Sequence, residues 1–142
     1  MITRTASARY EGFGKEGKGH VSTQSGVLAD QPYGFNTRFE NEPGTNPEEL
    51  IAAAHAACFT MALSFALAKE GLTVGRLETS ARVTLDKEGD GFKVSRSDLS
   101  LVATVPGIDA ERFAAVAADA KANCPISKLL NAEISLEHQL RS

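Results

Sequence analysis

The chain has 142 residues, 42% of them hydrophobic and 23% charged, a composition that suits one globular α+β-sized domain spanning 1–142 with its own core. Fifteen basic residues against eighteen acidic ones leave a net charge of −3. That balance excludes the basic footprint needed for nucleic acid or an anionic membrane surface as main partner. No apolar run approaches the ~20 residues of a membrane span, and residues 1–11 carry no apolar stretch of the signal-peptide kind, so a cytoplasmic protein is expected.

In chain order, Thr3 to Tyr10 reads as an extended Thr/Ser-rich segment, Gly12 to Gly19 as a turn, and His20 to Ser25 as a strand. Gln31-Pro32-Tyr33 reads as a loop before a strand over Gly34 to Glu40, and Glu42-Pro43-Gly44-Thr45 as a further turn. A helix is expected to open at Asn46-Pro47-Glu48-Glu49, where Asn suits the cap, Pro the first turn and two acids the positive end of the dipole. It runs to about Glu70 and ends at Gly71. Eight of its residues are alanine and it is apolar nearly all round from Leu50 to Ala68, which predicts burial on most sides.

Alternation from Leu77 to Asp86 predicts a half-buried strand, and Gly89-Asp90-Gly91 a hairpin turn. The return strand, Phe92 to Val105, changes phase near Ser95 to Asp98, which predicts a bulge. Pro106-Gly107 ends it. Asp109 caps a helix from Ala110 to about Asn123, Cys124-Pro125 breaks that helix, and a short one continues to Leu130. Glu133 to Leu140 alternates as a last strand. The sum is an α+β fold with a mostly antiparallel sheet and a central buried Ala-rich helix.

Few residues invite chemistry. Gly12-Phe13-Gly14-Lys15-Glu16-Gly17 matches G-x-G-x-x-G in letters, but a polar strand precedes it and no helix follows, so it reads as a hairpin turn. Two cysteines and three scattered histidines (His20, His55, His138) offer no metal-site spacing, and no metal or cofactor is expected. Cys58 lies mid-helix, about three turns from the positive end, and reads either as an inert core thiol or as a nucleophile needing a cation from elsewhere. His55, one turn before it, is either its proton partner or a packed core histidine. Cys124 precedes Pro125 and so stands at the cap of the following helix, as an acidified thiol or a small junction residue. Arg38, between Phe35 and Phe39, reads locally as a solvated charge, and Glu48 and Glu49 as dipole partners.

Taken together, Thr45-Asn46-Pro47-Glu48-Glu49-Leu50 with Ala52 to Phe59, Ala122-Asn123-Cys124-Pro125-Ile126-Ser127, and Gln31 to Phe39 resemble the OsmC/Ohr family of osmotically inducible and organic hydroperoxide resistance proteins, the last segment favouring the OsmC subgroup. The resemblance covers essentially the whole chain. It implies an intertwined homodimer with active sites at the subunit interface and a thiol peroxidase acting on organic hydroperoxides and more weakly on hydrogen peroxide. It also implies Cys58 as the peroxidatic thiol and Cys124 as the resolving thiol. Arg38 would sit beside the Cys58 sulfur, and Glu48 would hold Arg38. The implied partners are the hydroperoxide, an external dithiol reductant (a small molecule or a lipoyl- or thiol-bearing protein) and a second copy of the chain.

Phe39, Phe59, Met61 and Phe65 are candidates for an apolar pocket. The rival readings are a cysteine hydrolase or acyltransferase using Cys58 with His55, which lacks an oxyanion-hole motif and leaves Cys124 idle, and a non-catalytic stress or binding protein. One geometric demand stands out. Glu48 and Cys58 lie about 15 Å apart along a straight helix, more than one guanidinium spans. Either the helix breaks between them, or a partner subunit supplies one side of the site.

Overall fold

In the computed structural model, which describes all 142 residues, the chain forms two units, 1–50 and 51–142, each built on a three-stranded sheet. In the first, β1 (Ala6–Glu11) pairs antiparallel with β2 (Lys18–Thr23), which pairs antiparallel with β3 (Gln31–Tyr33). The Gly-rich motif between β1 and β2 is a turn, as expected. Gly12 and Gly14 take positive φ, which glycine alone adopts freely, and the Tyr10 hydroxyl donates to the Gly14 carbonyl at 2.8 Å. On Gly19, a Cβ would lie 2.7 Å from the Tyr33 ring and 2.9 Å from the Tyr10 ring. Gly12 and Gly14 thus serve the turn, and Gly19 makes room for two tyrosines.

Residues 31–40 depart from expectation. Gln31–Tyr33 is a strand and not a loop, and the predicted strand after it is a single helical turn, α1 (Phe35–Phe39). The Phe35/Phe39 spacing that resembled strand flanks is the i, i+4 spacing of a helix, and the rings meet at 5.0 Å. Thr37 secures the turn: its hydroxyl accepts from the Gly34 N–H at 2.8 Å and donates to the Gly34 carbonyl at 3.1 Å. Among residues 1–50 only Gly19 and Thr45 are buried, so this unit has no apolar core in a single chain.

Helix α2 (Pro47–Lys69) begins in the first unit and runs unbroken into the second. Asn46 caps it as predicted, accepting from the Glu49 N–H at 2.8 Å. Its burial is narrower than its composition suggests. Only His55, Phe59, Leu63 and Leu67, an i, i+4 stripe, are buried, while Met61 and Phe65 are about two-thirds exposed, at 64% and 66%. An 18-residue stretch of α2 averages 1.9 in hydropathy, so by length and composition it would suffice to cross a bilayer. The expectation that no segment approaches a span fails because many moderately apolar alanines reach the same mean as a few leucines. The buried stripe nevertheless packs into a polypeptide core.

That core lies in the second unit. β4 (Arg76–Glu88) and β5 (Gly91–Thr104) form the predicted hairpin, and Thr84 opposes Arg96 while Leu85 opposes Val94, so Ser95 is the extra residue of the expected bulge. Beyond the bulge, Ser97, Leu99, Leu101 and Ala103 face inward against Phe59, Leu63 and Leu67 of α2 and Phe113, Val116, Ala117 and Ala120 of α3 (Ala110–Asn123). Asp109 caps α3 through the Arg112 N–H at 2.8 Å, as read from sequence. After α4 (Pro125–Leu129), the chain returns as β6 (Glu133–Arg141), parallel to β5. Three strand pairings are thus antiparallel and one is parallel. The parallel one requires a crossover, and α3 and α4 are that crossover.

Candidate active site

Two pairs of the expected residues form, one in each unit. In the first, the Asn46 cap sets the opening turn of α2, and its side-chain amide also donates to the Thr37 carbonyl of α1 at 3.1 Å. That tie brings α1 against the helix start. Arg38 then donates from Nε to Glu48 Oε1 at 3.0 Å and from Nη2 to Oε2 at 2.9 Å, a two-pronged match of fork to carboxylate. Glu49, indistinguishable from Glu48 by composition, accepts instead from the Thr45 hydroxyl at 2.8 Å. Arg38 also lies 5.4 Å from the centre of the Phe39 ring. A hollow of about 360 Å³ beside it is lined by Tyr10, Tyr33, Phe35, Phe39 and Pro47, an aromatic wall in which Lys15 is a second cation beside Arg38.

In the second unit the two cysteines, both free thiols, come together. Cys58 is half-buried on α2 and packs against the core cluster that includes Cys124, which is 1% exposed at the α3–α4 junction. Burial pushes the Cys58 thiol pKa up, the Ile126 backbone amide draws it down, and interaction with the Cys124 thiol pushes it up again; the net shift is upward. Cys124 does cap α4, its sulfur accepting from the Ser127 N–H at 3.3 Å and lying 3.2 Å from the Ser127 hydroxyl.

His55 is wholly buried, and its two ring nitrogens are taken by hydroxyls: Nδ1 lies 2.6 Å from Ser97 Oγ and Nε2 2.8 Å from Ser127 Oγ. Burial lowers its pKa. Both nitrogens are thus engaged by serines, which removes the basis for a Cys58–His55 hydrolase pair. The proposed apolar pocket also divides. Phe59 is core, while Met61 and Phe65 line an open groove with Ala57, Thr60 and Thr79, and Phe39 belongs to the hollow beside Arg38. Sequence reasoning missed Ser97, Ser127 and Ile126. Ser127 carried a signal, since the third residue after a helix cap donates its amide to that cap.

Residues 39–139 match the OsmC-like protein family. The chain is 55% identical to Peroxiredoxin OsmC of Escherichia coli (strain K12), over 99% of both chains. It is 35% identical to the organic hydroperoxide resistance protein OhrA of Bacillus subtilis (strain 168), over 96% of this chain and 95% of that one. Among solved structures it resembles the organic hydroperoxide resistance protein OhrB of Bacillus subtilis, with 31% identity, a TM-score of 0.68 and coverage of 99% and 98% of the two chains.

Proposed function

We propose that this chain, which belongs to the OsmC/Ohr family, is a thiol-dependent peroxidase that reduces organic hydroperoxides to alcohols. The meeting of two free thiols, one half-exposed and one buried, carries the reading. Cys58 is the accessible thiol and meets the peroxide. Its thiolate attacks the O–O bond, an S–O bond forms, and the distal oxygen leaves as an alkoxide that is protonated to the alcohol. Cys124 then attacks the sulfenic sulfur, giving the Cys58–Cys124 disulfide and water, which guards Cys58 against further oxidation. An external dithiol reduces the disulfide and is itself oxidised to a disulfide. The upward-shifted Cys58 thiol needs a cation, and Arg38 supplies it. Glu48 fixes the guanidinium, whose remaining donors steady charge on the departing oxygen. The aromatic hollow around Arg38 favours an organic hydroperoxide over hydrogen peroxide.

The working unit is a homodimer in which residues 1–142 act as one peroxidase domain and each site draws on both copies. Three observations support this. Residues 1–50 bury no apolar side chain, α2 leaves Met61 and Phe65 exposed, and α2 is unbroken between Glu48 and Cys58, which leaves a second subunit as the way to bring Arg38 to the thiol. The chemistry suits a reducing cytoplasm, where dithiols are available. Turnover of an organic hydroperoxide with a supplied dithiol tests the proposal. Wild type consumes it catalytically and Cys58→Ser does not; equal steady-state rates would overturn it.

A further inference from the structure

One buried titratable group has no part in that reaction. His55 is 0% exposed, as is Ser97, and Ser127 is 8% exposed. With Cys124 they form an unbroken file drawn from four places in the fold: Ser97 on β5, His55 on α2, Ser127 on α4, and the sulfur at the α3–α4 junction, with successive separations of 2.6, 2.8 and 3.2 Å. A histidine that only filled space here would be better replaced by an apolar side chain, because each of its ring nitrogens needs a buried partner.

The file has a consistent direction. A neutral imidazole has one donor and one acceptor nitrogen. With Nδ1–H donating to Ser97, Nε2 accepts from the Ser127 hydroxyl, and the Ser127 oxygen is left to accept from the Cys124 thiol. Every hydrogen then points the same way along the file, from the sulfur through the ring to Ser97. Cys124 needs such an outlet, because its thiolate is the nucleophile and the residue is 1% exposed. The titratable groups facing the file are the two thiols, Cys124 at its end and Cys58 one turn on along α2. β5 and α4 bring neutral hydroxyls, and burial alone, with no charged side chain, lowers the imidazole pKa, so the ring is neutral, with Nε2 2.8 Å from the hydroxyl oxygen whose proton it would take.

We propose that His55, acting through Ser127, is a positioning residue that takes up the Cys124 proton in the disulfide-forming step. The inference rests on the two-cysteine reaction above. As the Cys124 S–H proton passes to Ser127, the Ser127 hydroxyl proton passes to His55 Nε2. The Cys124 sulfur attacks the sulfenic sulfur of Cys58, the S–S bond forms, the S–O bond breaks, and hydroxide leaves. The imidazolium, disfavoured by burial, gives its proton up as the hydroxide becomes water. Thiol plus sulfenic acid thus gives disulfide plus water, with His55 neutral again.

The test is a single-turnover experiment with one equivalent of tert-butyl hydroperoxide on the reduced full-length protein. It follows sulfenic acid by dimedone trapping and disulfide by mass, across about pH 6 to 8. In Ser127→Ala and His55→Gln the disulfide step slows at least about tenfold while sulfenic acid still forms, and its rate climbs more steeply with pH than in wild type because hydroxide becomes the proton acceptor. Ser127→Thr, which keeps the hydroxyl, restores most of the lost rate and the wild-type slope. Ser127→Ala carries the test alone where His55→Gln does not fold. An unchanged disulfide step in Ser127→Ala overturns the inference, as does a slowing that keeps the wild-type pH slope, the mark of a merely displaced Cys124. Absence of sulfenic acid or disulfide in the wild type overturns the two-cysteine reaction and this inference together, and is told apart because the parent protein itself fails.

Discussion

Replacing Arg38 with methionine removes the cation assigned to the Cys58 thiolate, and the size of the loss follows from what surrounds that sulfur. Within residues 51–142, burial and the Cys124 thiol hold the Cys58 pKa up, and only the Ile126 amide draws it down. A guanidinium beside such a sulfur lowers that pKa, so its removal cuts the thiolate fraction near pH 7. A more basic thiolate is also a better nucleophile, and a Brønsted coefficient of about 0.4–0.5 returns roughly half of that loss on a logarithmic scale. Losing the donors to the departing oxygen deepens it, by up to about a hundredfold or more. Unfolding does not mimic this effect. Arg38 is 36% exposed and Glu48 13%, and the stability lost with such a two-pronged pair, about 1–3 kcal/mol, shows in Tm and is separable from a shifted thiol titration in the folded protein. The assay titrates thiolate absorbance against pH in a Cys124→Ser background, with single-turnover peroxide reduction alongside. Arg38→Lys falls between, because an ammonium lacks the planar fork. A Cys58 titration unchanged in Arg38→Met would refute the assignment of Arg38.

Cys124→Ser completes one turnover and then stalls with Cys58 driven to sulfinic acid, which mass spectrometry detects as two added oxygens; continued cycling with a dithiol would contradict the resolving role. Stability carries the signature of His55. Its folded pKa lies below the ordinary 6.5, so the unfolded chain binds more protons in that window, and stability falls as pH drops below about 6.5 until the folded ring also protonates. Urea melts of wild type and His55→Gln, compared from pH 7.5 to 5, read this as a steeper acid loss in wild type. Co-refolded Cys58→Ser and Arg38→Met protomers regain about a quarter of wild-type activity, since half the dimers are mixed and each mixed dimer restores one of its two shared sites. A verified mixed dimer with no activity would defeat the shared site, and a monomeric mass at micromolar concentration the dimer itself.

The fold was legible where local chemistry and global placement agree. The Asn46 and Asp109 caps, the α3 break at Cys124-Pro125 and the bulge at Ser95 were each readable from local signals: a side chain that accepts from its own helix's amides, a proline, and a slip in the strand's apolar phase. The misreadings, and the direction of β6 that was left open, share a cause of another kind. Residues 35–39 are too few to separate a helical turn from a strand by periodicity, and a Thr37 hydroxyl bonded to both backbone groups of Gly34 settled it. The direction of β6 depended on where a crossover returns the chain, which no alternation within Glu133 to Leu140 encodes. The buried stripe of α2 was hidden by alanines that are apolar whichever way they face.

The site divides along the same line. Arg38 and Glu48 came from the family resemblance, because locally one is a surface charge and the other a dipole partner; the geometry that distinguishes Glu48 from Glu49 is the position of Thr45, which holds Glu49 away. Cys124 was partly legible as a cap, and the same capping logic, carried one step on, reaches Ser127. What no local reading reaches is Ser97, 42 positions from His55 and inward-facing only because the Ser95 bulge shifts the strand's phase. Without that extra residue the Ser97 hydroxyl would point to the opposite face of β5, and the imidazole would be left with a buried nitrogen unpaired. Deleting Ser95 is therefore expected to do more than unpack Leu99 and Leu101: it withdraws the anchor of the His55 ring, and with it the orientation that leaves Nε2 free to accept from Ser127.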